Sequence, residues 1–252
     1  MKTSNKLLLT GLLALIASSF ISMWIAKNNM IITFSSPEEN TQGELIVHTI
    51  SEELVSDTLI LREHSKYILD PNSKEYTVEI PSNYIDYFSF KDEGIADILK
   101  VESNIEHDLL VRYGIKGKNN LTIIAKDHSS LSCESALKFN MLNINADDNS
   151  KLRINISADS LSFDLADYNE IHLEGDAKVL EIRAEDHVAF MAKNMNANNL
   201  YANLEDNARV YINKVDFISG VLENNSKVFT DKAWQELSAR TYDEAGVYNS
   251  DE

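Results

Sequence analysis

The chain of 252 residues predicts an all-β fold: a right-handed parallel β-helix of about seven coils, behind one N-terminal transmembrane helix and a small irregular β region. Three observations predict it. One residue frame returns every 18–21 positions, apolar residues alternate within each return, and Asx-rich triplets stand where the chain must turn. Glycine and proline are scarce, with 8 and 3 copies, so the corners rest on other residues.

Residues 1–27 form the first element. The run 7–26, LLLTGLLALIASSFISMWIA, carries no charge and is flanked by Lys2, Lys6 and Lys27. As a helix it would reach roughly 30 Å, the thickness of a hydrocarbon core. The run continues through Ile21, Met23, Trp24 and Ile25, beyond a signal peptide's usual apolar length, so a signal anchor is preferred to cleavage after Ala17-Ser18-Ser19. No cysteine adjoins the run, which removes a lipoprotein anchor, and Lys2 and Lys6 keep the N-terminus cytoplasmic. The C-terminal domain is then expected in the periplasm or outside. Residues 28–42, NNMIITFSSPEENTQ, read as a polar spacer.

Residues 43–113 hold short apolar-alternating runs such as GELIVHTI, DTLILRE and KEYTVEIP, broken by DPNS, PS and KDEG. They predict an irregular β region or an N-terminal cap. VESNIEHDLLV, from Val101, reads as a degenerate copy of the frame 20 residues before Leu121.

The repeats occupy 114–249. The frame runs LTIIAKDHSSL from Leu121, LNINADDNSKL from Leu142, LSFDLADYNEI from Leu161 and LEIRAEDHVAF from Leu180. It continues as LYANLEDNARV from Leu200, ISGVLENNSKV from Ile218 and LSARTYDEAGV from Leu237, at spacings of 21, 19, 19, 20, 18 and 19. First, third and fifth places are apolar, as a half-buried strand requires. Seventh place holds Asp127, Asp148, Asp167, Asp186, Asp206, Asn224 and Asp243, residues that tolerate left-handed backbone angles and turn a corner without glycine. A second strand follows, from ninth to thirteenth place, then a variable return of about 6–8 residues. One repeat alone cannot bury its apolar face, whereas stacked coils can. A leucine-rich repeat would need an L-x-x-L-x-L rhythm that is absent. The final copy, with Ala239 and Thr241, reads as a capping coil before the acidic tail 250–252.

Corners of the style ADDNSKLRI, ADYNEIHLEGDAKV and EDNARVYI, behind a single N-terminal apolar segment, resemble the bacterial auto-transporter adhesin, head GIN domain family over about residues 100–250. The resemblance implies an exported β-helix of the cell envelope and carries over no catalytic residues.

Charge narrows the partners. The three lysines before residue 28 leave −20 on the rest of a chain whose total is −17. Such a surface repels phosphate backbones, so nucleic acid is not expected as a partner. Cys133 is the only cysteine, no intrachain disulfide forms, and its apolar strand position predicts a buried, inert thiol. No cofactor is expected. The seventh-place ladder of Asp127, Asp148, Asp167, Asp186 and Asp206, with Asp147, Glu185 and Glu205, supplies hard oxygens that suit Ca²⁺, against the plainer reading of Asx turns bonding their own backbone. His128 and His187 lie three coils apart, too far for one metal.

Outward Asn143, Asn145, Arg153, Asp164, His172, Glu181 and Arg183 mix signs, and Tyr168, Tyr201 and Tyr211 are candidate contacts for sugars or proteins. Coils this short leave no long loops to wall a cleft, and no nucleophile, P-loop or zinc motif occurs. The expectation is a non-enzymatic, membrane-anchored envelope protein presenting a repetitive surface to a glycan or an envelope protein. The alternatives are a carbohydrate-active β-helix enzyme and a Ca²⁺-dependent adhesin.

Overall fold

Two consecutive left-handed residues turn each of the seven frame corners. The computed structural model describes residues 45–49, 58–61, 66–81, 88–90, 96–98, 110–133 and 135–249. The chain divides into two units, Met1–Gln42 and Gly43–Glu252, and every described residue lies in the second. At the seven corners the pairs with positive φ are Asp127–His128, Asp148–Asn149, Asp167–Tyr168, Asp186–His187, Asp206–Asn207, Asn224–Asn225 and Asp243–Glu244. Positive φ at two successive positions makes a type I′ turn. The ninth-place N–H closes it on the sixth-place carbonyl, Ser129 to Lys126 at 3.1 Å and Ser226 to Glu223 at 3.0 Å.

Asp, Asn and His visit this region with little penalty, whereas a Tyr or Glu there costs about 1 kcal/mol. The ladder offsets the cost. The eighth-place N–H donates to the seventh-place carbonyl of the next coil, His128 to Asp148 at 2.9 Å, Tyr168 to Asp186 at 3.0 Å and Asn225 to Asp243 at 2.8 Å. Each such bond contributes roughly 1 kcal/mol net. The corner is therefore as continuous a ladder as the sheets beside it.

Strands β1 (Leu45–Thr49), β2 (Thr58–Leu61), β3 (Lys66–Asp70), β4 (Thr77–Pro81), β5 (Phe88–Phe90), β6 (Ala96–Ile98) and β7 (Leu110–Gly114) precede the regular coils. The coils comprise β8 (Asn120–Ala125), β9 (Ser130–Cys133), β10 (Leu137–Ala146), β11 (Lys151–Leu165), β12 (Glu170–Ala184), β13 (Ala189–Leu204) and β14 (Arg209–Leu222). They end with β15 (Lys227–Thr230), β16 (Glu236–Leu237), β17 (Arg240–Thr241) and β18 (Gly246–Asn249). Parallel pairing sets Leu121 against Leu142, Leu142 against Leu161, Leu161 against Leu180, Leu180 against Leu200, Leu200 against Ile218 and Ile218 against Leu237. The register is the sequence frame, and the fold is an all-β solenoid of about seven turns.

The return differs from the variable segment expected. It is extended chain, so β11 and β12 each run 15 residues from one corner to the next. Ile156 pairs with Gly175 and Gly175 with Met195, and Ala158, Ala177 and Ala197 align beside them, forming a third sheet with a buried inner row. The changes in frame length are absorbed here, by register shifts between His172 and Glu174 and between Ala192 and Asn196. Corners and their ladder stay in step as a result.

A second difference concerns coil order. β2 pairs with β8, Leu59 opposite Ile123, and β3 pairs with β9, Tyr67 opposite Leu131. β7, the end of the degenerate copy expected directly before Leu121, pairs instead with the other edge of β3, Tyr67 opposite Val111. Strands β2 and β3 thus lie between strands of two coils that are neighbours in sequence. They fit because Leu59, Leu61, Tyr67 and Leu69 fill third, fifth, eleventh and thirteenth places, all buried. Beyond β7 and β6 the pairing turns antiparallel, with β4 on β7, β1 on β4 and β5 on β6. Arg112 donates to Glu79 directly across the β4–β7 pair at 3.0 Å. Antiparallel strands here cover parallel edges that would otherwise template further pairing.

The core is a stack of inward places. Leu121, Ile144, Phe163, Ile182, Leu204 and Val210 are all buried, and Phe163 meets Phe190 edge to face at 5.0 Å. Gly220 takes third place at φ +128, where a Cβ would meet the Ala202 carbonyl oxygen at 2.0 Å, so only glycine fits. The last coil is far less buried, with Leu237, Arg240 and Thr241 exposed. Among the described residues no helix is long and apolar enough to cross a membrane, and the segment 7–26 lies outside them.

Candidate functional site

Inside each corner, ninth place faces the core. Ser129, Ser150, Asn169 and Ser226 are buried there, each with its polar atoms bonded. Asn169 accepts the Ser150 N–H at 2.8 Å and donates its amide to the carbonyls of Ala146 (2.8 Å) and Ala166. Sequence reading assigned ninth place to the second strand. The small side chains Ser, Ala and Val at this place were the available signal.

Outside the corners stands the seventh-place ladder. Asp148 and Asp167, with the sixth-place Asp147, offer carboxylate oxygens within 4.8 Å of one another. Asp127, Asp186 and Asp206 join no such group among the described residues. The hydrogen bond from Asp147, with smaller contributions from slight burial and the neighbouring carboxylates, raises the Asp167 pKa above the ordinary carboxylate value. At Asn224 the crowding is relieved, since its amide donates to Asp206 Oδ1 at 2.9 Å. Both histidines of the frame, His128 and His187, sit exposed at eighth place.

The outward face of the second strands carries the strongest contrast in side-chain chemistry. Reading tenth place along the axis gives Leu110, Lys66, Ser130, Lys151, Glu170, Ala189, Arg209, Lys227 and Gly246. Twelfth place gives Arg112, Ile68, Ser132, Arg153, His172, Met191, Tyr211, Phe229 and Tyr248. At the C-terminal end Tyr211 stacks on Phe229 at 4.7 Å and 9°, and Phe229 on Tyr248 at 5.5 Å and 24°. Lys193 lies over Tyr211 at 5.4 Å and Lys227 over Tyr248 at 6.0 Å. Rings that stack on one another have no free face for a sugar, so this ladder holds coils together. Tyr168 likewise stacks on His187 at 5.1 Å, while Tyr201 stands exposed on the first-strand face.

Toward the N-terminal end the same face opens into a groove of about 460 Å³. Its floor is the coil whose outward residues are Ser130 and Ser132; Lys66 and Ile68 rise on one side and Lys151 and Arg153 on the other. Glu170 closes one corner, bonded to His172 at 2.7 Å and 3.8 Å from Lys151. The His172 bond holds the Glu170 carboxyl below its ordinary pKa. Just beyond the floor, Cys133 is half-buried, takes the Asn155 N–H at 3.2 Å, and has its thiol pKa raised by burial. A thiol in that setting is a poor nucleophile.

The outward residues with mixed signs do not converge into a carboxylate pair. Arg153 and His172 line the groove, Glu181 and Arg183 pair with each other at 2.9 Å, and Asp164 stands exposed on the first-strand face.

The family model described as "Putative auto-transporter adhesin, head GIN domain" matches residues 57–231. Its start coincides with the β2 coil. Among solved structures, a putative adhesin from Bacteroides fragilis is similar at TM-score 0.63 and 15% identity, covering 82% of this chain and 97% of its own. A putative adhesin from Parabacteroides merdae is similar at TM-score 0.62 and 12% identity, covering 83% and 97%. A putative lipid binding protein from Parabacteroides distasonis is similar at TM-score 0.60 and 14% identity, over the same 83% and 97%. At these identities the likeness is one of fold. No curated protein matches the chain.

Proposed function

Since the chain belongs to this adhesin family, we propose that it is a non-enzymatic envelope protein whose solenoid presents an outward sheet face to a glycan or protein partner. The observation that carries this reading is the corner. Among the described residues, two-residue turns at the seven frame corners leave no loops there from which to wall a catalytic cleft, so the sheet faces are the extended surfaces available for contact. Such faces repeat at about 4.8 Å along the axis, which suits a partner that is itself repetitive. The apolar run 7–26 is the element that would hold the domain at a membrane, with the solenoid in the periplasm or outside.

The test uses the full chain against a panel of envelope polysaccharides, scoring retention and chain shortening together. Retention without shortening is expected. Shortening that co-purifies with the protein would replace this reading with a carbohydrate-active enzyme.

A further inference from the structure

We propose that the groove over Ser130 and Ser132 is a binding site for an anionic polysaccharide segment, such as a uronate chain; this rests on the reading of the solenoid as a glycan- or protein-binding module. Charge complementarity carries the assignment. The chain as a whole has a net charge of −17, yet among the described residues Lys66, Lys151 and Arg153 line this groove against one carboxylate, that of Glu170. That carboxylate already faces His172 at 2.7 Å and Lys151 at 3.8 Å. An anion entering the groove meets cations on both walls.

Shape agrees with charge. Ser130 pairs with Lys66 on one side and Lys151 on the other, so the two ammonium stems rise two coils apart, roughly 10 Å. Between them the serine side chains leave room where other coils carry Lys, Arg, Tyr or Phe. Ser132 donates its hydroxyl to the Tyr67 carbonyl at 3.5 Å, which leaves its oxygen lone pairs facing the groove. Sugar hydroxyls can donate to the serine oxygens of the floor while sugar carboxylates pair with the cations of the walls. The volume of about 460 Å³ lies within the range of small-ligand sites. Its floor is a closed β-ladder with buried Leu131 and Leu152 beneath, so among the described residues the groove does not continue into the core as a channel for acyl tails. A sugar chain is therefore the favoured occupant over a phospholipid.

The experiment measures binding of the full chain to polygalacturonate, to dextran and to phosphatidylglycerol vesicles. Polygalacturonate is expected to bind and dextran not. The double substitution Lys151→Glu with Arg153→Glu should raise the polygalacturonate Kd at least tenfold, while Lys193→Glu, beside the aromatic ladder, changes it less than twofold. Both positions of the double variant are exposed, so an unchanged Tm is expected and separates lost binding from lost fold. Polygalacturonate binding that ignores the double substitution overturns the groove assignment and leaves the adhesion reading standing. No polygalacturonate binding overturns it too, as does vesicle binding that the double substitution abolishes.

Discussion

Two halves of one sheet face share a backbone and differ in everything that points away from it. From Lys66 to His172 the outward residues of the second strands are cations and serines, with Ile68 and Glu170 among them, around a groove; from Tyr211 to Tyr248 the twelfth places are rings stacked on rings. The parallel register runs through both without a break at the corners. The contrast teaches that the ladder and the inward places carry the fold, which frees the outward places to specialise. Where those side chains touch each other they add stability. Where they stand apart they leave room for something else.

The largest expected effect tests the aromatic half. Phe229→Ala removes the ring shared by both stacks, and each stack is worth about 1 kcal/mol beyond the area it buries. A loss of roughly 2–3 kcal/mol in denaturant unfolding is expected, with polygalacturonate binding unchanged. Equal losses of binding and stability would erase the division between halves.

The groove half is tested next by Ser132→Leu, which fills the floor from an outward position. Stability should move by no more than about 0.5 kcal/mol, as for other surface changes. Affinity for polygalacturonate should fall about tenfold, a change of roughly 1.4 kcal/mol. Retained affinity would mean that the cations act at long range and the groove shape is incidental.

The corner ladder is common to both halves, and there the effect is smaller. Asp167 has a raised pKa because of its Asp147 partner, so its charged form is disfavoured in the folded state. The sign follows: the penalty is present above the raised folded value and vanishes as pH falls below the ordinary carboxylate value of 3.8. Asp147→Asn should move the Asp167 titration midpoint toward that value in carboxyl NMR and raise Tm slightly at neutral pH. A midpoint that stays put would assign the shift to the other neighbouring carboxylates.

Much of the fold was legible because its period was printed in residue types. The spacings of 21, 19, 19, 20, 18 and 19 are the observed pairing offsets, since Leu in first place and Asp in seventh can each occupy only one position in a coil. The stacking order at the N-terminal end was not legible. Pairing β2 between β6 and β8, and β3 between β7 and β9, depends on which edge meets which, and a strand sequence such as TLIL fits either neighbour. The return was misread because Ser157, Asp159, Asp176 and Lys178 look like loop chemistry, yet they are the solvent side of a strand whose other side is Ile156, Ala158 and Ala177. The groove was missed for a related reason. Ser130 and Ser132 are ordinary strand serines along the chain and become a floor only when tenth and twelfth places are read across coils, with Lys66 arriving from 64 residues earlier.

Glu170 and His172 stand at the seam between the halves, and they carry the smallest effect. The His172 bond lowers the Glu170 pKa, so the pair contributes stability that is fully present above the ordinary glutamate value of 4.5 and is lost as pH falls through the lowered folded value. Because both side chains are more than a third exposed, solvent screens the pair, and its contribution stays below about 0.5 kcal/mol. Glu170→Gln should therefore flatten the acid limb of the stability profile slightly while removing the one carboxylate that lines the groove among the described residues. That second consequence is the informative one. If the groove holds an anion, the variant binds polygalacturonate more tightly, because a like charge has been taken away. If Glu170 instead holds Lys151 and His172 in place for the ligand, affinity falls although the groove has become more positive. The direction of the change thus separates a site built on net charge from one built on fixed geometry.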